Sequence, residues 1–285
     1  MIDLHLHTNH SDGTDSVKEL LQNAEKNKLE VNSITDHDSV EAYYEIEQNL
    51  DLLKLYNGKI IVGAELKAIY NKINIEVLAY GIDYKKIQII NADQEKIEND
   101  ILQHFFKVAK SLNIKYNPNL IIDINDSSKQ YAGFVFSTDI LKYKENKEIL
   151  EKIGVFSNIT FYRDHESNIN SPFHFDSSKY YKTMDEVIDD IHKAGGLAFL
   201  AHGFLYPFEN KEKELKNILA SSKIDGVECE YPMFTQEQRK YLKDICKKYN
   251  KFMSGGSDYH ANNKPTVKMG SGENNNLNID KNLIQ

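Results

Sequence analysis

Cysteine and arginine are both scarce in this chain of 285 residues. The two cysteines, Cys229 and Cys246, stand in no spacing that suggests a zinc knuckle or a disulfide framework, so a reducing compartment is expected. Arg163 and Arg239 are the only arginines, which leaves few bidentate guanidinium clamps for phosphate. Positive charge is in deficit overall. The formal net charge of −8 excludes a general basic field for holding nucleic acid and argues against a duplex-DNA partner. No apolar run approaches the ~18 residues of a membrane span, and no charged-then-apolar leader opens the chain. The expectation is a soluble, cytoplasmic protein with no membrane partner. What is present is an apolar fraction of 40%, enough for a sizeable core in one large α/β domain or two small ones.

Polar and apolar residues alternate in Ile2-Asp3-Leu4-His5-Leu6-His7, as in a short strand that puts His5 and His7 on one face, about 7 Å apart. A polar loop with a turn signal at Asp12-Gly13 follows and can fold a carboxylate back over the strand end. Residues 16–27 carry a helical stripe of Val17, Leu20, Leu21 and Ala24, with Ser16 and Glu19 placed as a capping box. Strand 29–35 ends at Asp36-His37-Asp38, and Ser39 starts a second helix. Residues 59–66 read as a strand ending at Glu65, and 73–80 as another. The middle breaks this rhythm: 87–112 and 137–153 read as helical among polar loops. Rhythm returns at Thr183 with a helix over 184–194, a strand ending at His202, a helix over 211–221 and a strand over 224–229. A helix capped by Thr235 and Gln238 follows, then a short strand into Gly256-Ser257-Asp258-Tyr259-His260. The predicted organisation is a discontinuous α/β domain over 1–83 and 183–270, an inserted, mainly helical cap over 84–182, and a loosely packed tail over 271–285.

Five strand ends thus carry candidate ligands: His5 with His7, His37, Glu65, His202, and Asp258 with His260. In a barrel of parallel strands such ends gather on one face. Each has a plainer alternative: His202 as a satisfied core histidine, Asp36 and Asp38 as helix caps, Glu65 as a solvated strand end. Their joint convergence points to divalent cations, because buried carboxylates and imidazoles are costly unless paired.

These residues resemble the PHP (polymerase and histidinol phosphatase) superfamily. Asp3-Leu4-His5-Leu6-His7-Thr8, Ser11-Asp12-Gly13 and Thr35-Asp36-His37-Asp38 look like its opening motifs. Gly63-Ala64-Glu65, Leu200-Ala201-His202-Gly203 and Gly256-Ser257-Asp258-Tyr259-His260 look like its later ones. The likeness is closest to the branch of nucleotide phosphatases and a related RNA-trimming exonuclease. It implies an α/β fold, a distorted (β/α)7 TIM-like barrel with an inserted mainly helical cap. It also implies two or three divalent ions, manganese, iron or zinc, with magnesium also fitting. By the resemblance His5, His7, Glu65 and Asp258 hold one ion. Glu65 bridges to a second ion, also held by His202, and Asp12, His37 and His260 hold a third. Two positions depart from the pattern. Glu76 stands where relatives place a histidine; as a further ligand it favours harder ions over zinc. Phe134-Val135-Phe136 replaces an Arg-x-His of the cap, leaving Lys67, His10, Lys129, Arg163, His165 and His174 as basic or imidazole side chains for a phosphate.

The function this implies is a metal-dependent phosphoesterase. Its substrate would be a small phosphorylated compound such as a nucleotide, or short single-stranded RNA ends, hydrolysed by metal-activated water with His37, His202 and Glu65 in the catalytic set. The alternatives are a metal-dependent amidohydrolase or deacetylase, and a degenerate, non-catalytic metal-binding protein.

Overall fold

In a computed structural model of the protein, residues 1–89, 93–124, 131–220, 223–277 and 279 are described. The opening alternation forms β1 (Ile2–Leu6), buried throughout. Next comes α1 (Val17–Lys26), where Ser16 and Glu19 cap each other and Val17, Leu20, Leu21 and Ala24 are buried. It leads through β2 (Val31–Ile34) to α2 (Glu41–Gln48), whose cap position is Val40 and not the expected Ser39, because the Ser39 hydroxyl accepts only the first helical N–H, that of Glu41.

The stretch 59–66, expected as one strand, is split into β3 (Lys59–Ile60) and β4 (Gly63–Tyr70). At the split Gly63 packs so closely that a Cβ would lie 2.3 Å from Ser33 Oγ, which admits only glycine. Then follow β5 (Ile73–Tyr80), α3 (Gln94–Ser111) and α4 (Ala132–Ile140). The helix expected from 87 starts at the Asp93 cap, whose side chain accepts from Lys96 N. The one expected over 137–153 is broken into α4 and α5 (Lys147–Ile153). Buried Asn146 causes the break: its side chain accepts from Lys115 N and donates to the carbonyls of Ile140 and Lys115. The short α6 (Asn158–Phe161) completes this region.

The third part runs α7 (Met184–Lys193), β6 (Leu197–Leu200), α8 (Lys211–Ala220), β7 (Gly226–Glu230), α9 (Gln236–Tyr249) and β8 (Phe252–Gly255). Capping boxes at Thr183 and Thr235 start α7 and α9. An antiparallel pair, β9 (Val267–Lys268) and β10 (Gly272–Glu273), lies near the end.

The fold is mixed α/β. β1, β2 and β3 form one parallel sheet in that order, and β4-β5-β6-β7-β8 form another. In the second sheet β6, β7 and β8 are parallel, while β5 runs antiparallel to β6. Among the described residues these ladders do not close into the expected (β/α)7 ring. β3 stops after two residues and an antiparallel strand interrupts the βα rhythm. The sheets meet instead at single parallel bridges, Leu6 with Tyr259 and His37 with Glu65.

The chain divides into two compact units. The first comprises Met1–Tyr70, Asn74–Ile90 and Lys182–Gln285; the second comprises Asn71–Ile73 and Asn91–Tyr181. In the first, Ile2 and Leu4 pack with Leu78, Tyr80, Phe199, Ala201, Leu277 and Ile279. Leu277 and Ile279 belong to the segment expected to be loose, yet both are buried; residues 278 and 280–285 of that segment lie outside the described residues. In the second unit an aromatic core forms around Phe105, Phe136, Phe161 and Phe173. No helix among the described residues is long and apolar enough to cross a membrane.

Candidate metal centre

The candidate ligands of the first unit sit at or just beyond strand ends. His5 lies within β1 and His7 directly after it, with ring centroids 5.1 Å apart. His37 follows β2, Glu65 and Glu76 lie on β4 and β5, and His202 follows β6. Asp258 and His260 follow β8, where the Asp258 backbone N–H donates to the His5 carbonyl. This close approach requires Gly256, since a Cβ there would lie 2.1 Å from that of His5. His202 (φ 24°) and Asp258 (φ 57°) occupy left-handed backbone conformations, uncommon outside glycine and characteristic of functional sites.

The side chains converge around Glu65, which is wholly buried. Glu65 Oε2 lies 3.0 Å from His5 Nε2 and 3.3 Å from both His7 Nε2 and His37 Nδ1, while Oε1 lies 2.9 Å from His202 Nε2. Asp258 Oδ1 is 3.4 Å from His7 Nε2 and 3.6 Å from His5 Nε2. Asp12 Oδ1 is 2.9 Å from His260 Nε2 and 3.6 Å from His7 Nδ1. Glu76 spans His37 and His202 at 3.3 and 3.2 Å.

Among the described residues three sets place one ligand atom each within 4.8 Å of the others: His7, Asp12, His37 and His260; His5, His7 and Glu65; and His37, Glu65 and Glu76. The sets share members pairwise, through His7, Glu65 and His37. His202 and Asp258 stand beside them, at the distances given. All nine sequence-predicted ligands are therefore neighbours in space.

The donor set fits divalent cations. Ligand atoms bound at ~2.1 Å to one ion lie roughly 3–3.5 Å from one another, the range seen here. Several are poor hydrogen-bond pairs: His7 Nε2, His37 Nδ1 and Asp12 Oδ1 are buried and, among the described residues, have no hydrogen-bond partner. The electrostatics agree. Burial opposes charge on His7, yet the adjoining Asp258 and Glu65 carboxylates push it up to about 9. Burial likewise opposes charge on His202, and Glu65 and Glu76 push it up to about 10. Burial raises the Glu65 and Asp258 carboxyls, but the surrounding imidazoles, and Lys264 for Asp258, hold both well below the usual range. The cluster attracts positive charge strongly.

Four groups supporting the site were not picked out as such from the sequence. Asp36 accepts from Thr8 N, Thr8 Oγ1 and Ser11 Oγ at 2.6–2.7 Å, so it pins the loop that carries Asp12 and caps no helix. Tyr231 and Lys264 hold the other Asp258 oxygen, at 2.7 and 2.5 Å. Glu228, wholly buried on β7, accepts the His202 backbone N–H and faces His5 Nδ1. Glu228 shares β7 with a second carboxylate, Glu230, so the strand's sequence alone did not single it out.

Of the phosphate-contact candidates, His10 pairs with Glu45 at 2.7 Å, and Arg163 is forked onto Asp164. The Lys67 backbone N–H donates to Asp38. His165 and His174 bond to carbonyls of the second unit, and Lys129 lies outside the described residues. Phe136 is fully buried in the aromatic core, so that position packs the second unit and offers nothing to a ligand.

The family model described as PHP domain matches residues 3–257. A 5'-3' exoribonuclease of Haemophilus influenzae is 25% identical over 265 residues, covering 90% of this chain and 89% of that protein. Two solved structures share the fold. One is a provisionally assigned metal-dependent phosphoesterase of Bifidobacterium adolescentis, with a TM-score of 0.60, 23% identity, and 99% of this chain and 93% of that one covered. The other is an amidohydrolase of Chromobacterium violaceum with bound sulfate and no metal, with a TM-score of 0.64, 17% identity, and 100% and 93% covered.

Proposed function

The chain belongs to the PHP domain family, and on that premise we propose that it is a metal-dependent phosphoesterase that hydrolyses a phosphomonoester of a nucleotide or trims RNA ends. The observation that carries this reading is the overlap of the three ligand sets through His7, His37 and Glu65. Sets that share members hold ions close together, as in-line displacement at phosphorus requires. The name of the Haemophilus relative, a 5'-3' exoribonuclease, supports an RNA end as substrate.

In this reading His5, His7, Glu65 and Asp258 hold one ion. Glu65, His202 and Glu76 hold a second, and Asp12, His37 and His260 a third. Bound there, the ions supply Lewis acidity and make water a nucleophile near neutral pH. The chain's own residues do the rest. The two Glu65 oxygens, facing His5 and His202, fix the spacing between neighbouring sites. Tyr231 and Lys264 hold Asp258 so that its free oxygen faces His5 and His7. Partly exposed His37 borders the open side, where substrate approaches. The carboxylate Glu76, in place of an imidazole, biases the site towards manganese or iron over zinc.

The test is phosphate release from nucleoside monophosphates and 5'-phosphorylated short RNAs, with amide substrates in parallel. Chelator-stripped protein should be inactive and regain activity with Mn²⁺. Glu65→Gln and Asp258→Asn should lower the rate by at least ~100-fold. Full activity in chelator, or amide turnover without phosphate release, overturns the proposal.

A further inference from the structure

Glu228 touches two sides of the cluster without facing any shared ligand position. Its Oε1 lies 2.9 Å from His5 Nδ1, and its Oε2 accepts the backbone N–H of His202 at 2.8 Å. It has no solvent exposure. The strand that carries it is irregular at this point. Glu228 pairs with Ser254 and Glu230 with Gly255, so one extra residue, Cys229, is accommodated between them. Such bulges re-aim side chains next to functional sites. The His202 backbone it holds is one of the left-handed, non-glycine conformations of the site, which persist only where the surroundings fix them.

We propose that Glu228 is the positioning residue of the centre: one carboxylate that sets the tautomer of His5 and the backbone of His202 together. The inference rests on the metal-site reading given above. The Glu228 oxygen, an acceptor facing Nδ1, selects the His5 tautomer that donates from Nδ1 and leaves Nε2 directed at Glu65 and Asp258, the ligand side. The second Glu228 oxygen keeps His202 turned so that its Nε2 faces Glu65 and Glu76. A single side chain thereby aligns a ligand of each of two neighbouring sites. An amide cannot do this. A glutamine side chain in the same place would offer one oxygen for two N–H donors, and its NH2 would face either the His202 N–H or His5 Nδ1.

The test compares the wild-type chain with Glu228→Gln and Glu228→Asp. Chelator-stripped proteins are titrated with Mn²⁺, and the histidine tautomers are read by long-range ¹⁵N–¹H NMR on Zn²⁺-loaded samples. The expected result is a roughly 10–100-fold loss of Mn²⁺ affinity in Glu228→Gln, with loss of the His5 Nδ1–H signal or a shift of the His202 backbone N–H, according to which of the two the amide NH2 faces. Glu228→Asp, which keeps the charge, should restore that signal and part of the affinity. It also carries the test if the glutamine variant does not fold. Unchanged affinity and tautomer in a folded Glu228→Gln protein, or loss of both in Glu228→Asp equal to that of the amide, overturns the role of Glu228 alone. A wild-type chain that binds no Mn²⁺ overturns the metal reading and this inference with it.

Discussion

At position 76 a carboxylate faces two imidazoles, His37 and His202, on the same side as Glu65. Burial disfavours its charge and Glu65 repels it, yet the imidazoles hold the Glu76 carboxyl below its ordinary range. Two adjacent carboxylates suit a hard cation better than a borderline one. In Glu76→His the affinity for Zn²⁺ relative to Mn²⁺ should rise by about tenfold, the equivalent of ~1.4 kcal/mol. Competition titrations with the two ions on stripped protein measure this, and an unchanged ratio removes Glu76 from the ligand set. Most candidate ligands were legible in the sequence because they sit beside a glycine, a turn or a strand end, whereas Glu76, in the middle of β5, was marked only by the family resemblance. Glu228 was harder to read: Asp225 and Glu230 stand in the same short stretch, and only the fold turns Glu228 towards His5.

Among the elements, the loop between β1 and α1 is turned by its own backbone bonds, from Ser11 and Gly13 N–H to the Thr8 carbonyl and from Asn9 N–H to that of Asp15, and side chains tie it to the end of β2. Asp36, just after β2, supplies three acceptor contacts to Thr8 and Ser11 and thereby fixes Asp12 opposite His260. Replacing Asp36 with Asn keeps the volume but sets an NH2 group against N–H and O–H donors. The expected cost is about 1–3 kcal/mol in urea denaturation, with loss of the weakest-bound ion in a Mn²⁺ titration. Wild-type stability and stoichiometry in this variant would show that the loop is held otherwise. Helix starts at Ser16 and Thr235 could be read from spacing because a capping box is local in sequence. The split of 59–66 into two strands could not, because it follows from the close approach of Gly63 to Ser33.

For the molecule as a whole, stability should depend on pH through the second unit. Burial there pushes the Glu166 carboxyl up to about 8, and the nearby Glu98 adds repulsion. The folded state therefore keeps a proton that the unfolded chain releases near pH 4.5. This contribution is complete below about pH 4.5 and is lost as pH rises through about 8, on the order of 3–5 kcal/mol over the window. Urea midpoints of the full chain, followed by far-UV circular dichroism, should fall between pH 5 and 8 more steeply than in Glu166→Gln. Parallel curves would exclude a proton held on Glu166. The sequence by itself determined the α/β character, the capping boxes at Ser16 and Thr235 and the nine candidate ligands, since periodicity, capping and short motifs are written within a few positions of the chain. Only the tertiary structure decided that the strands form two bridged sheets with β5 reversed. It alone brought Glu228 to His5, pinned Asp12 through Asp36 and buried Phe136, because these depend on contacts between segments far apart in sequence, which no local pattern encodes.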